Sequence, residues 1–166
     1  ENCSFEGIID PTNATVGGIV GKTLIGAGST MEITACFNEG TVTGPAQIGG
    51  ILGYAQQVGT TISKCWNAGE VKGTGTYKDG ADAGGILGVA NPVILENCIN
   101  TGAVDGKANK NVGGIVGRFE ATAGNANLTM KVENCVNNGT VIGTGSNGGF
   151  GGIIGTAVDR GGVRMT

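Results

Sequence analysis

A short recurring pattern limits what this chain can fold into more than any other feature of its sequence. Cys-x-Asn-x-Gly-x-Val-x-Gly occurs four times, beginning at Cys36, Cys65, Cys98 and Cys135. It places Asn38, Asn67, Asn100 and Asn137 two residues after each Cys, and Val42, Val71, Val104 and Val141 six after. A looser first copy begins at Cys3, with Phe5 where the others carry Asn and Pro11 where they end in Gly. A second pattern, Gly-Gly-Ile-aliphatic-Gly, follows each copy, at 17–21, 49–53, 84–88, 113–117 and 151–155. Successive cysteines lie 33, 29, 33 and 37 residues apart, and the variation falls between the motifs, in Thr-, Gly-, Asn- and Lys-rich segments. Fixed motifs joined by elastic segments describe stacked coils with insertions at their corners.

The local chemistry selects strands for those coils. Gly40-Thr41-Val42-Thr43-Gly44 alternates with a period of two between glycines, and no segment sustains apolar residues at i, i+3, i+4 and i+7. The 35 glycines among 166 residues, roughly three times the usual ~7% share, exclude the paired helices of ankyrin or tetratricopeptide repeats. The expected fold is all-β, a parallel β-solenoid (β-helix) of about five coils, filling residues 1–166 as a single domain. The coils run roughly over 1–30, 31–59, 60–93, 94–128 and 129–158, followed by a tail at 159–166 that carries no motif. Stacked about 4.8 Å apart, equivalent residues form inward ladders: Cys3, Cys36, Cys65, Cys98 and Cys135; the four valines; and Ile51, Ile86, Ile115 and Ile153. The column of Asn38, Asn67, Asn100 and Asn137 is expected to turn a corner, its amides bonding to each other and to main chain.

Composition removes several classes of function. A hydrophobic fraction of 39% with only 14% charged residues is the opposite of a disordered chain, and glycine does not recur every third residue as collagen requires. The net charge is −3 and the ten basic residues are scattered, so no nucleic acid partner is expected. No apolar run reaches the ~20 residues of a membrane span, so this segment is not expected to insert. With no histidine, Ser-His-Asp and Cys-His nucleophiles and HExxH zinc sites cannot be built. The Cys-x2–4-Cys zinc spacing is also missing, and neither metal nor cofactor is expected. The chain opens Glu1-Asn2-Cys3 without an initiator Met or signal peptide, which reads as a piece of a longer or processed polypeptide.

The repeats resemble the GLUG-motif repeats of large bacterial surface and secreted proteins, including the non-catalytic part of some immunoglobulin A proteases. Glu96-Asn97-Cys98-Ile99-Asn100-Thr101-Gly102-Ala103-Val104 followed by 113–117 carries the likeness, which extends over nearly the whole chain in five copies. The resemblance implies a β-solenoid on an extracellular or cell-surface bacterial protein, often associated with adhesion, and it brings no catalytic residues. Extracellular placement rests on it alone.

Three groups of residues are candidate sites. The position after each Cys holds Phe37, Trp66, Ile99 and Val136. If Cys and Asn point inward, alternation turns this column outward, as a ridge that docks a glycan or protein partner, or packs against another domain of the parent protein. The apolar residues three before each Cys, Ile33, Ile62, Leu95 and Val132, share its parity, which leaves a bend or the opposite facing open. The five cysteines are read either as a reduced packing ladder or as one or more disulfides between neighbouring coils. Carboxylates offer a third site: Asp79 and Asp82 in the long loop Tyr77–Asp82, and Glu96 and Glu133 at a position held by Thr34 and Ser63 in earlier coils, with no basic residue recurring beside them. An acidic pair could support glycoside hydrolysis; the default is a solvated loop. A flat ice-binding rank of Thr is broken by Glu70, Lys72 and Asp105. The expected function is a non-enzymatic repeat module serving adhesion, or a rigid stalk. A carbohydrate-binding module using Phe37, Trp66 and Ile99 is the first rival, and a carbohydrate-active enzyme the second.

Overall fold

The structure, a computed structural model, describes residues 1–12, 14–26, 28–75, 82–107, 111–121, 128–145, 148–159 and 164–166. Among them there is no helix, so none that is long and apolar enough to cross a membrane. Among the described residues twenty-five strands form five parallel five-stranded sheets, so the chain is a parallel β-solenoid of about five coils, four full turns separating the first and last strand of a sheet. Counted from each Cys, one turn of the coil runs a few residues later than the sequence bounds, and the second turn holds Phe37–Asn38, Thr41–Gly44, Gln47–Gly49, Leu52–Ala55 and Thr60–Ser63. The sheets they belong to are called here the ridge sheet, the valine sheet, the first and second glycine sheets and the threonine sheet, in that order. Registers follow the motifs: Ser4, Phe37, Trp66, Ile99 and Val136 align in the ridge sheet, and Ile9, Val42, Val71, Val104 and Val141 in the valine sheet.

The facing of Ile33, Ile62 and Leu95, left open by the sequence, is inward, with exposures of 4, 0 and 0%. The cause is one residue in the left-handed region just before each Cys: Asn2 (φ 55°), Ala35 (53°), Lys64 (54°), Asn97 (55°) and Asn134 (51°). This residue carries the chain round a corner and resets the alternation, so that Ile33 and Cys36 both enter the core while Thr34 between them does not. Asn tolerates that conformation, whereas Ala and Lys adopt it at a cost of roughly 1–2 kcal/mol. Pairing along the stack continues through the corner, where Ala35 N–H donates to the Ser63 carbonyl and Lys64 N–H to that of Glu96, both at 3.0 Å.

The inward side chains fill two cores. One lies between the threonine and second glycine sheets and contains Ile33, Ile62, Leu95, Ile51, Ile86, Ile115 and the buried cysteines. The other joins Val42, Val71 and Val104 of the valine sheet to Val16, Ile48, Ala83 and Val112 of the first glycine sheet. Between the cores the two glycine sheets lie backbone to backbone, which the Gly-Gly-Ile-aliphatic-Gly motif makes possible. A Cβ on Gly53 would come within 2.5 Å of the Val16 carbonyl, and one on Gly88 within 2.6 Å of the Ile48 nitrogen. The middle glycine of each motif faces elsewhere: a Cβ on Gly50 or Gly85 would overlap the carbonyl of the next coil's Gly and the amide of the next coil's Asn.

Two expectations change at the ends of the stack. Cys3 and Ile153, assigned to inward ladders, are exposed, Ile153 by 37%, and Cys135 is only half-buried. Their columns do turn inward, but a terminal coil is covered on one side only. The tail is not featureless either: Arg164–Met165 pairs with Thr129–Met130 and supplies the fifth strand of the threonine sheet. Parallel pairing uses main chain, so it needs no side-chain motif.

The glycine packing predicts a contrast. Gly85→Ala forces a methyl group into the next coil's carbonyl and amide and should cost about 2–3 kcal/mol in urea unfolding. Gly152→Ala, at the equivalent position of the last coil, meets no described atom within 4 Å and should change stability by less than about 0.5 kcal/mol.

Candidate functional site

The ridge begins from its neighbours on either side in sequence. Cys36, Cys65 and Cys98 are 0–2% exposed and Asn38, Asn67 and Asn100 are 0% exposed, so the residue between each pair is turned out. Trp66, Ile99 and Val136 are 45, 41 and 45% exposed, and Phe37 is half-buried. Phe37 and Trp66 stack with ring centroids 4.7 Å apart at 36°, within the range favoured by aromatic pairs. The indole Nε1–H of Trp66 donates to Thr101 Oγ1 in the next coil at 2.9 Å, which sets the ring's orientation. The ridge therefore runs along the stack as a continuous apolar strip. On one side are the exposed corner residues Lys64, Asn97 and Asn134, with Asn134 Nδ2 donating to Asn97 Oδ1 at 3.4 Å; on the other are Glu39, Thr101 and Asn138.

Beneath the ridge lies the asparagine ladder. Asn38 Nδ2 donates to Asn67 Oδ1 at 2.6 Å, Asn67 to Asn100 at 2.7 Å and Asn100 to Asn137 at 2.8 Å. The other N–H of each amide goes to the carbonyl two residues on: Gly40 at 3.1 Å, Gly69 at 2.9 Å, Gly102 at 2.8 Å and Gly139 at 3.0 Å. At both ends the Gly N–H returns a bond to its own Asn Oδ1, at 3.1 Å for Gly40 and Gly139. The amides thus bond to one another and to main chain in a single column.

All five cysteines are free thiols. Each of Cys36, Cys65, Cys98 and Cys135 donates its S–H to the carbonyl two residues back, Thr34, Ser63, Glu96 and Glu133, at 3.3–3.4 Å. Cysteine suits this site because it packs as a small hydrophobe while offering a weak donor to the carbonyl that precedes the left-handed corner. Burial pushes the Cys36 thiol above its ordinary value. Cys98, with the thiols of Cys135 and Cys65 on either side and buried between them, is pushed up as well.

The carboxylates are arranged differently from the sequence expectation. Asp79 lies outside the described residues. Asp82 is not in a loop: it opens the strand Asp82–Gly84, in register with Gln47 and Asn111, and is 4% exposed. It accepts a hydrogen bond from Asn111 Nδ2 and faces Arg118 Nε at 3.1 Å, and Arg118 in turn reaches Glu120 at 3.1 Å. Asp82 itself lies outside the repeat motifs, and the strand shows only in its in-register pairing. Glu96 and Glu133 are neighbours as the repeat implies, and one basic residue that does not recur accompanies them. Lys131 bridges the pair at 3.0 and 2.6 Å, and its ammonium is held above its ordinary value by Glu133 and Glu96. Neither Arg118 nor Lys131 carries a repeat signature: Arg118 aligns with Val89 and Thr156, and Lys131 with Ile94. Comparison with models of known protein families, with curated proteins and with solved structures finds no match.

Asn100→Ala leaves the Asn67 amide without its acceptor in a dry core and should cost at least about 2 kcal/mol in urea unfolding. Asn137→Ala, at the half-covered end, should cost less. In native protein, an alkylating reagent should modify Cys3 rapidly and leave Cys36, Cys65 and Cys98 protected. Unfolding without reductant should release five titratable thiols.

Proposed function

We propose that this chain is a non-enzymatic repeat module of a bacterial surface or secreted protein, whose stiff stack of coils presents the Phe37–Trp66–Ile99–Val136 ridge for adhesion. The observation that carries this reading is the alignment of four outward apolar residues on successive coils, three of them more than 40% exposed. A surface held by main-chain pairing and a buried amide ladder loses little conformational freedom when a partner binds, which favours affinity from a modest contact area. The likeness of the repeats to GLUG-motif proteins supports the extracellular setting. The described carboxylates considered for catalysis are already engaged, Asp82 with Arg118 and Glu96 and Glu133 with Lys131, which favours the non-enzymatic reading.

A second reading, a carbohydrate-binding ridge, is favoured by the Trp66 indole. It is half exposed, stacked on Phe37 and oriented by Thr101, with amides and a hydroxyl along the rims. A pyranose ring offers the complementary surface, an apolar face edged by hydroxyls, and such aromatic platforms with a few polar groups fix ligand orientation.

Trp66 is the only tryptophan, so its fluorescence separates these readings. The free protein should emit at the red-shifted wavelength of a solvated indole. A saturable change on titration with mucin glycans or plant polysaccharides, weakened at least tenfold in Phe37→Ala with an unchanged melting temperature, would establish the glycan ridge. Emission indifferent to every glycan would leave docking of a protein, or simple spacing, as the role. Release of soluble products from a polysaccharide, abolished by Asp82→Asn, would overturn the non-enzymatic reading.

A further inference from the structure

We propose that the fifth coil ends in a directional docking face. Its occupant is a parallel coil of repeat sequence carrying Asn in register with the ladder, and it does not accept the first-coil face of a second copy.

The ladder has a polarity. Every amide donates toward the following coil, from Asn38 to Asn67, Asn100 and Asn137. At Asn137 the bond to the Gly139 carbonyl is kept, and among the described residues no acceptor meets the N–H that points onward. The middle glycines supply a second, separate observation. A Cβ on Gly18, Gly50, Gly85 or Gly114 would run into the next coil's Asn38, Asn67, Asn100 or Asn137, respectively. At Gly152 no described atom lies within 4 Å. The fifth coil thus offers the same glycine cradle that receives an Asn side chain four times elsewhere, beside a donor aimed at that side chain's oxygen.

The apolar surface around the cradle agrees. Phe150 and Ile153 are 45 and 37% exposed, whereas their counterparts Val112 and Ile115 are 0% exposed. An open cavity of about 310 Å³ at this end is lined by Phe119, Met130, Val132, Ile154, Ala157 and Thr166. Inward side chains of another coil would fill it as they fill the core above.

The first coil cannot play that part for a second copy. In register with Asn38 it carries Phe5, whose ring packs against Gly40 and Gly7. Phe5 has no oxygen to accept from Asn137. Two fifth-coil faces brought together would set donor against donor. A coil with Asn at that position completes the ladder as Asn67, Asn100 and Asn137 do within it.

The test compares the 166-residue chain with the same chain extended after Thr166 by a copy of its own residues Leu95–Lys131. Thr166 N–H bonds to the Met130 carbonyl and Val132 N–H to the Thr166 carbonyl, so the copied Leu continues the chain as Val132 follows Lys131. Hydrogen exchange at Val136–Ile142 and Ile154–Thr156 should slow at least about tenfold in the extended chain, and its melting temperature should rise. Asn100→Phe in the copy alone should abolish most of that protection. Gly152→Ala should be silent in the shorter chain and lower the melting temperature of the extended one. The 166-residue chain should sediment as a monomer. The proposal fails if the added coil stays unprotected above five intact coils, if the Phe copy docks as well as the Asn copy, or if Gly152→Ala is silent in both chains. Reversible end-to-end assembly of the 166-residue chain would overturn it equally.

Discussion

The column of buried asparagine amides is the constraint on which the rest of the structure depends. A primary amide sealed from water must satisfy two N–H groups and a carbonyl, or it costs several kcal/mol. Here each amide serves its own coil through the Gly two residues on and its neighbour through the next Asn. Both demands are met only when equivalent residues sit directly above one another at the strand spacing of about 4.8 Å. The ladder therefore fixes rise and register together, and it tolerates no slip between coils.

The same column explains why two motifs separated by variable segments travel together. The amides of Asn67, Asn100 and Asn137 lie against Gly50, Gly85 and Gly114, so close that a methyl group on any of these glycines would overlap them. The outer glycines of each motif let the two glycine sheets meet main chain to main chain. The middle one makes room for the ladder. The cysteine two residues before each Asn closes the preceding corner by donating to the carbonyl of the residue ahead of it. With Cys and Asn both turned in, the residue between them has nowhere to go but out, and the ridge follows from the ladder beneath it.

Much of this was legible because a stack gives equivalent residues equivalent surroundings. The strand period, the inward valines and the asparagine column follow from alternation and repetition, and so does the alignment of Phe37, Trp66, Ile99 and Val136 in one column, whose outward facing the corners then decide. What stayed hidden does not repeat, or has no residue signature. Ala35 and Lys64 occupy left-handed corners with nothing in their chemistry to announce it, so the facing of Ile33 and Ile62 could not be read. Asp82 reads as loop because it lies outside the repeat motifs. Its partner Arg118 aligns with Val89 and Thr156, so no column points to it.

The sequence by itself determined the coil, its parallel stacking and the stacking of the Cys, Val, Ile and Asn columns, because a period-two pattern repeated in register has one economical way to bury its apolar face. Only the tertiary structure decided which way the corner residues turn, which carboxylates find cations, and how the two ends differ. Those depend on close approach between segments far apart in sequence. The fifth coil carries the same motif as an interior one and differs in having a neighbouring coil on one side only.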